Sequence, residues 1–172
     1  METVREIALR SGETAKIIKA SPDIIDRLIE LEDRSINPAT FMRITEEELA
    51  DSIENDTVFV ATLADNPIAF SVLVHNRDSE RSLAQRLGHN HRDVLTFDGV
   101  IVSKEARGNG LQRIFLLLAE ELALSLGASY VGATVSRLNE YSRRNFAASG
   151  FTELCEIPIY GSSRILAEKR VK

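Results

Sequence analysis

The chain has 172 residues, 44% hydrophobic and 27% charged, the balance of a soluble globular protein. Its net charge of −5 argues against a nucleic-acid binder, which needs a basic face, and is compatible with a cationic or amine-bearing substrate. Its single cysteine, Cys155, excludes an intramolecular disulfide and fits a reducing, cytoplasmic setting.

In the apolar run Leu154-Cys155-Glu156-Ile157, Cys155 reads as a strand residue rather than a nucleophile. The start, Met1-Glu2-Thr3-Val4-Arg5-Glu6, lacks the basic segment and apolar core of a signal peptide. No apolar run approaches the ~20 residues of a membrane span, so no membrane partner is expected. A chain this long buries roughly 70% of its unfolded surface and can hold a core unaided. No repeat, low-complexity tract or Pro/Gly/Ser linker interrupts it, so residues 1–172 are expected to form a single domain.

In chain order, Glu6 to Ile18 holds a first strand, and Ser21-Pro22 opens a helix with a good N-cap followed by proline at the first position. Its stripe is Ile24, Ile25, Leu28, Ile29 and Leu31. Asn37-Pro38 breaks the pattern and leaves a loop around Phe41 and Arg43. A second helix starts at Thr45, with Glu48 completing a capping box. Thr57–Leu63 and Ile68–Val74 read as an antiparallel hairpin across the turn Ala64-Asp65-Asn66-Pro67. The connection from His75 to Val94 is long and holds one short helix near Leu83 and Leu87.

Beyond it the patterns sharpen. Leu95–Val102 is an apolar strand. Leu111, Ile114, Phe115, Leu118, Leu122 and Leu126 form a helical stripe ended by Gly127. Leu116, Leu117 and Leu124 lie on its other sides, so most of that helix is expected to be buried. Tyr130–Val135 is a strand, Asn139–Ser149 a helix stopped at Gly150, and Phe151–Ile159 and Arg164–Glu168 are two further strands. The order implies an α/β sandwich around a mixed sheet.

The chemistry concentrates in Arg107-Gly108-Asn109-Gly110-Leu111-Gln112, between a strand and a buried helix. Two glycines around one residue let the backbone turn and offer successive N–H groups. With the positive end of the helix dipole they make an anion site suited to pyrophosphate. An ordinary glycine-rich turn without a ligand looks the same. No Gly-Lys-Ser or Gly-Lys-Thr follows, and Arg113 stands where a dinucleotide fingerprint needs a third glycine, so both of those loops weaken. His89-Asn90-His91 resembles half a metal site, but no cysteine lies near and only His75 remains, so a polar loop and no metal are expected. Arg143-Arg144 reads as a solvated face that could touch a cofactor phosphate.

This stretch resembles the phosphate loop of the GCN5-related N-acetyltransferase (GNAT) family, where Arg or Gln, two free positions, Gly, one free position and Gly or Ala follow in turn. Arg107 and Gly110 match, and Gln112 departs from the small last residue. A second block, Asn139, Tyr141-Ser142, Phe146 and Gly150-Phe151, is similar to the family's later helix and following strand. The resemblance covers a core of residues 95–151. It implies a mixed, mostly antiparallel sheet flanked by helices and splayed at the cofactor cleft.

It also implies acetyl-CoA (coenzyme A) as co-substrate, along Val100, Ile101, Val102 and Ser103, with its pyrophosphate on Arg107, Gly108, Asn109, Gly110, Leu111 and Gln112. Asn139 and Ser142 would be later-helix contacts. Gly99 is a candidate bulge. The reaction would be acetyl transfer to a small-molecule or peptide amine by direct attack, and the family's habit of pairing implies a homodimer. Asp98, just before Gly99, is the candidate base. The family's proton-donating tyrosine falls at Phe146, leaving Tyr141 and Ser142 as substitutes. A thiol of pKa about 8.5 still leaves without a donor. Cys155 lies outside this region, so a covalent acyl-enzyme is disfavoured. The acceptor pocket would be lined by Phe41, Arg43 and the His75–Val94 connection. The rivals are an idle acyl-CoA-binding sensor or scaffold, suggested by Phe146, and an O-acyltransferase on the same fold.

Overall fold

A computed structural model describes residues 3–75 and 79–172. Its strands are β1 (Thr3–Ala8), β2 (Thr14–Lys19), β3 (Thr57–Leu63), β4 (Asn66–Val74), β5 (Val94–Val102), β6 (Tyr130–Ser136), β7 (Thr152–Ile159) and β8 (Ser162–Arg170). Its helices are α1 (Ile25–Ser35), α2 (Glu46–Asn55), α3 (Ala84–Leu87), α4 (Leu111–Leu126) and α5 (Glu140–Ala148). The strand order is β1-β2-β3-β4-β5-β6-β8-β7. The β1–β2, β2–β3, β6–β8 and β7–β8 pairs are antiparallel and β5–β6 is parallel. The sheet is mixed, mostly antiparallel and open, as expected. The parallel pairing runs from Val94 and Tyr130 to Phe97 and Ala133 and goes no further.

The chain forms two compact units. One comprises Met1–Ile36, Arg43–Val72 and Gly99–Leu111, the other Asn37–Met42, Leu73–Asp98 and Gln112–Lys172.

In the first unit, the single strand expected over Glu6–Ile18 is two. Gly12, at φ +88°, reverses the chain, and Leu9 N–H bonds the Glu13 carbonyl at 2.8 Å. Ser21 does precede a helical start with Pro22 in its first turn, but that turn is 3-10, Pro22–Ile24, and the Ser21 side chain bonds Asp23 rather than a backbone N–H. The Thr45 capping box is complete: its hydroxyl accepts from Glu48 N–H at 3.1 Å while the Glu48 carboxylate accepts from Thr45 N–H at 2.7 Å. The β3–β4 turn is tighter than expected. Ala64 and Asp65 both take positive φ, and Pro67 already lies within β4.

The second unit gathers the later strands and helices. The buried face of α4 carries Phe115, Leu116, Leu118, Ala119 and Ala123. Leu117 and Leu124, expected inside, are each 46% exposed. They stand seven residues, about two turns, apart and share with exposed Glu121 the face of α4 opposite its buried side. Leu83, Ile159 and Leu166 form a buried cluster with Leu87, Ile157 and Tyr160 against it. The connection before β5 therefore reaches the core at Leu83 and Ala84, and Leu83 N–H bonds Thr96 Oγ1 at 3.0 Å. Its first part, Asn76–Asp78, lies outside the described residues.

Candidate active site

The glycine loop follows β5, and its side chains are turned to protein. Arg107 donates from Nη2 to the Ser35 carbonyl, 2.7 Å away, at the last residue of α1. Asn109 accepts from Arg10 N–H at 2.8 Å and donates to the Ala106 carbonyl at 2.9 Å. Gly108 and Gly110 take φ of +83° and +74°, conformations that a β-carbon strains. A β-carbon at Gly110 would meet nothing within 4 Å, so the loop surface there is open. The loop leads directly into the start of a sixteen-residue helix, where main-chain N–H groups have no intrahelical partner. The first turn of α4 has no acidic residue, whereas α2 carries Glu46, Glu47 and Glu48 in its own. Of these two helix starts, the one of α4 carries no negative side chain to oppose an anion.

Gln112, the departure from the family pattern, is buried. Its Nε2 donates to Ser142 Oγ at 2.7 Å and its Oε1 accepts from Asn145 Nδ2 at 2.8 Å. The long side chain thus ties the first turn of α4 to α5. Asn139 is the N-cap of α5, its Oδ1 accepting from Ser142 N–H at 3.1 Å. Tyr141 is 63% exposed. Phe146 is buried, edge-on to Phe97 and Phe151 with ring centroids 6.0 and 5.1 Å away. The hydroxyl missing from the family's tyrosine position is thus replaced by aromatic core.

Asp98 is far from isolated. Arg81 donates to its Oδ2 from Nε at 2.9 Å and from Nη2 at 2.5 Å, with both side chains mostly buried. Tyr160 donates its hydroxyl to Oδ1 at 3.1 Å. Burial and the neighbouring carboxylate push the Tyr160 hydroxyl well above its ordinary range, so it stays a neutral donor. Tyr160 and Gly161, at φ +54° and +71°, make the two-residue turn of the β7–β8 hairpin. Gly99, the candidate bulge, stays in β5 and is not among the positive-φ glycines. Val100, Ile101 and Val102 complete that strand.

Sequence reasoning missed Arg81, Tyr160 and Arg164. The only signal was indirect: a Tyr-Gly pair between two strands is turn chemistry, and Arg81 sits in the connection already singled out. Among the other sequence candidates, Arg43 pairs with Asp33, Arg143 with Glu153 at 2.8 Å and Arg144 with Glu140 at 3.2 Å. His89 stacks on Tyr130 and meets Glu168 at 3.1 Å, while His91 Nδ1 lies 3.4 Å from Ser82 Oγ, so the two histidines serve different contacts. Among the described residues no group of three or more His, Cys, Asp or Glu could hold a metal ion, and no helix is long and apolar enough to cross a membrane. Cys155 is exposed on β7.

Residues 25–151 match the model of the acetyltransferase (GNAT) family. The chain belongs to this family. Among solved structures it is similar to a GNAT-family acetyltransferase from Streptococcus pneumoniae, at 18% identity and TM-score 0.71, covering 92% of this chain and 99% of that one. The GNAT domain of S. lividans PAT is 16% identical with TM-score 0.73 and 96% coverage of both chains. The yncA protein of Salmonella typhimurium, a putative acetyltransferase solved with its cofactor acetyl-CoA, is 16% identical with TM-score 0.67, covering 92% of this chain and 94% of that one. These likenesses establish the GNAT fold. No curated protein matches the chain by sequence.

Proposed function

We propose that this GNAT acetyltransferase moves an acetyl group from acetyl-CoA to the nitrogen of a small-molecule or peptide amine by direct attack. The observation that carries this reading is the loop at α4, whose side chains are committed to protein and whose glycines leave the backbone open to an anion. Acetyl-CoA would supply the thioester acyl group and a thiolate leaving group. Main-chain N–H groups of Gly108 to Gln112 would bind its pyrophosphate, Val100, Ile101 and Val102 its pantetheine, and Asn139 and Ser142 would contribute from α5. The amine nitrogen bonds to the carbonyl carbon, the C–S bond breaks, and the amine proton passes to a base.

Asp98 is the proposed base, directly or through water. A substrate proton must then compete with Tyr160 at Oδ1, because Oδ2 is held twice by Arg81. Tyr141, exposed on α5, and bulk water are the donors proposed for the departing thiolate. A cytoplasmic setting and a homodimer belong to the same reading.

A second reading is a catalytically idle acyl-CoA sensor, favoured by the buried, hydroxyl-free Phe146. Thiol release from acetyl-CoA across polyamines, amino acids, aminoglycosides and peptide N-termini separates the two. Wild-type turnover on any of them decides for the enzyme. No turnover by wild type or Phe146→Tyr, with acetyl-CoA still raising the melting temperature, decides for the sensor. A melting temperature indifferent to millimolar acetyl-CoA overturns both.

A further inference from the structure

We propose, resting on the acetyl-transfer reading above, that Arg164 binds a carboxylate on the acceptor, making the substrate class amino acids or other amines that carry an acid group. Arg164 lies on β8, three residues after Gly161, the last residue of the turn. Its Nε donates to Thr134 Oγ1 at 3.0 Å, its Nη2 to the Thr134 carbonyl at 3.3 Å and its Nη1 to the Thr40 carbonyl at 3.4 Å. All three acceptors are neutral. None of the ion pairs found among the described residues includes Arg164.

Among the described residues the local charge does not balance. Arg81 and Asp98 cancel each other, and Tyr160 is a neutral phenol. Arg164, partly buried beside them, is left as net positive charge, and its burial disfavours that charge. A guanidinium withdrawn from water is ordinarily offset by an anion. Among the described residues the only carboxylate acting on it is Asp98, and Arg81 already holds that group.

The hydrogen-bond count names the missing partner. A guanidinium has five N–H groups, and three are used. One remains on each terminal nitrogen, the arrangement that receives the two oxygens of a carboxylate. The neighbourhood is also the one where acceptor chemistry is expected. Tyr160 bonds Asp98, the residue directly before Gly99, and is held there by a left-handed backbone that a tyrosine rarely adopts. The loop that provides the Thr40 carbonyl adjoins Phe41, already singled out from the sequence as a lining residue.

The test compares α-amino acids with their matched α-carboxamides as acceptors, at equal free-amine concentration, in the thiol-release assay. The wild type is expected to favour the carboxylates by at least about tenfold in kcat/KM, the size of one charge-assisted bond. In Arg164→Gln that ratio falls towards one, chiefly through KM, and Arg164→Lys keeps part of it. Retention of the acetyl-CoA melting shift in both variants establishes that fold and cofactor binding survive. Equal use of carboxamides by the wild type, or a ratio unchanged in Arg164→Gln, overturns the proposal while leaving acetyl transfer standing. Should no acceptor turn over, melting of the acetyl-CoA complex with each amino acid against its carboxamide replaces the assay. Equal shifts there overturn the proposal as well.

Discussion

Gln112 on the first turn of α4 and Ser142 on α5 are joined by a 2.7 Å hydrogen bond, and the same side chain takes a second bond from Asn145. At a position where the family carries Gly or Ala, this chain has built a polar bridge between two helices. Buried amides left without partners are costly, so Gln112→Ala is expected to destabilise the protein by ~1–3 kcal/mol. For a chain of this size each kcal/mol lowers the melting temperature by roughly 2–4 °C. Because Ala is a family-like residue there, the acetyl-CoA melting shift should persist. Thermal melts with and without acetyl-CoA check both statements.

Acetyl-CoA at a hundred times its dissociation constant should stabilise the wild type by ~2.7 kcal/mol, and equal ATP or NAD should not. Gly110→Val places a β-branched residue at φ +74° on the open face of the loop. The variant should lose the acetyl-CoA shift. Normal binding by it, measured by calorimetry, would locate the pyrophosphate elsewhere.

Asp98 joins a role in stability to a proposed role in catalysis, and the two can be separated. Removing one partner of a buried ion pair typically costs ~3–5 kcal/mol, so Asp98→Asn should melt markedly lower. Tyr160→Phe removes only the hydroxyl at Oδ1 and spares the Arg81 pair. Were Asp98 the base, Asp98→Asn should slow thiol release by roughly 10²–10⁴ at saturating acetyl-CoA, while Tyr160→Phe retains most of the rate. Equal rates for wild type and Asp98→Asn would make Asp98 a structural residue alone.

Glu32 is buried in α1, where it accepts from Ile44 N–H at 2.9 Å. Burial raises its carboxyl above the ordinary value of 4.5, against the lowering effect of the Ile44 bond. The folded chain then holds this proton more tightly than the unfolded chain. Its contribution to stability is full below the unfolded pKa and is lost as pH rises through the folded one. Glu32→Gln retains an acceptor for Ile44 without the charge. It should melt higher relative to wild type at pH 7 than at pH 4, and a constant difference across that range refutes the account.

Much of the fold was legible because its signals are local. The helical stripe from Leu111 to Leu126, the Thr45–Glu48 capping box and the stop at Gly150 depend on residues a few positions apart. The glycine loop was legible for the same reason, since positive φ at Gly108 and Gly110 is a property of the residues themselves. The hairpin within residues 3–19 was not, because its alternation continues on both sides of Gly12.

The candidate site divides along the same line. The sequence by itself determined the family, the glycine loop and the absence of a hydroxyl at Phe146, each written in a short run of residues. Tertiary structure alone decided what those residues touch. It brought Arg81 from seventeen positions and Tyr160 from sixty-two positions away onto one carboxylate. It also spent Gln112 on α5 and, among the described residues, gave Arg164 neutral hydrogen-bond partners. Hydrogen bonds and charge compensation act over a few ångströms of space, whatever the separation along the chain, and no periodicity or motif encodes such pairings.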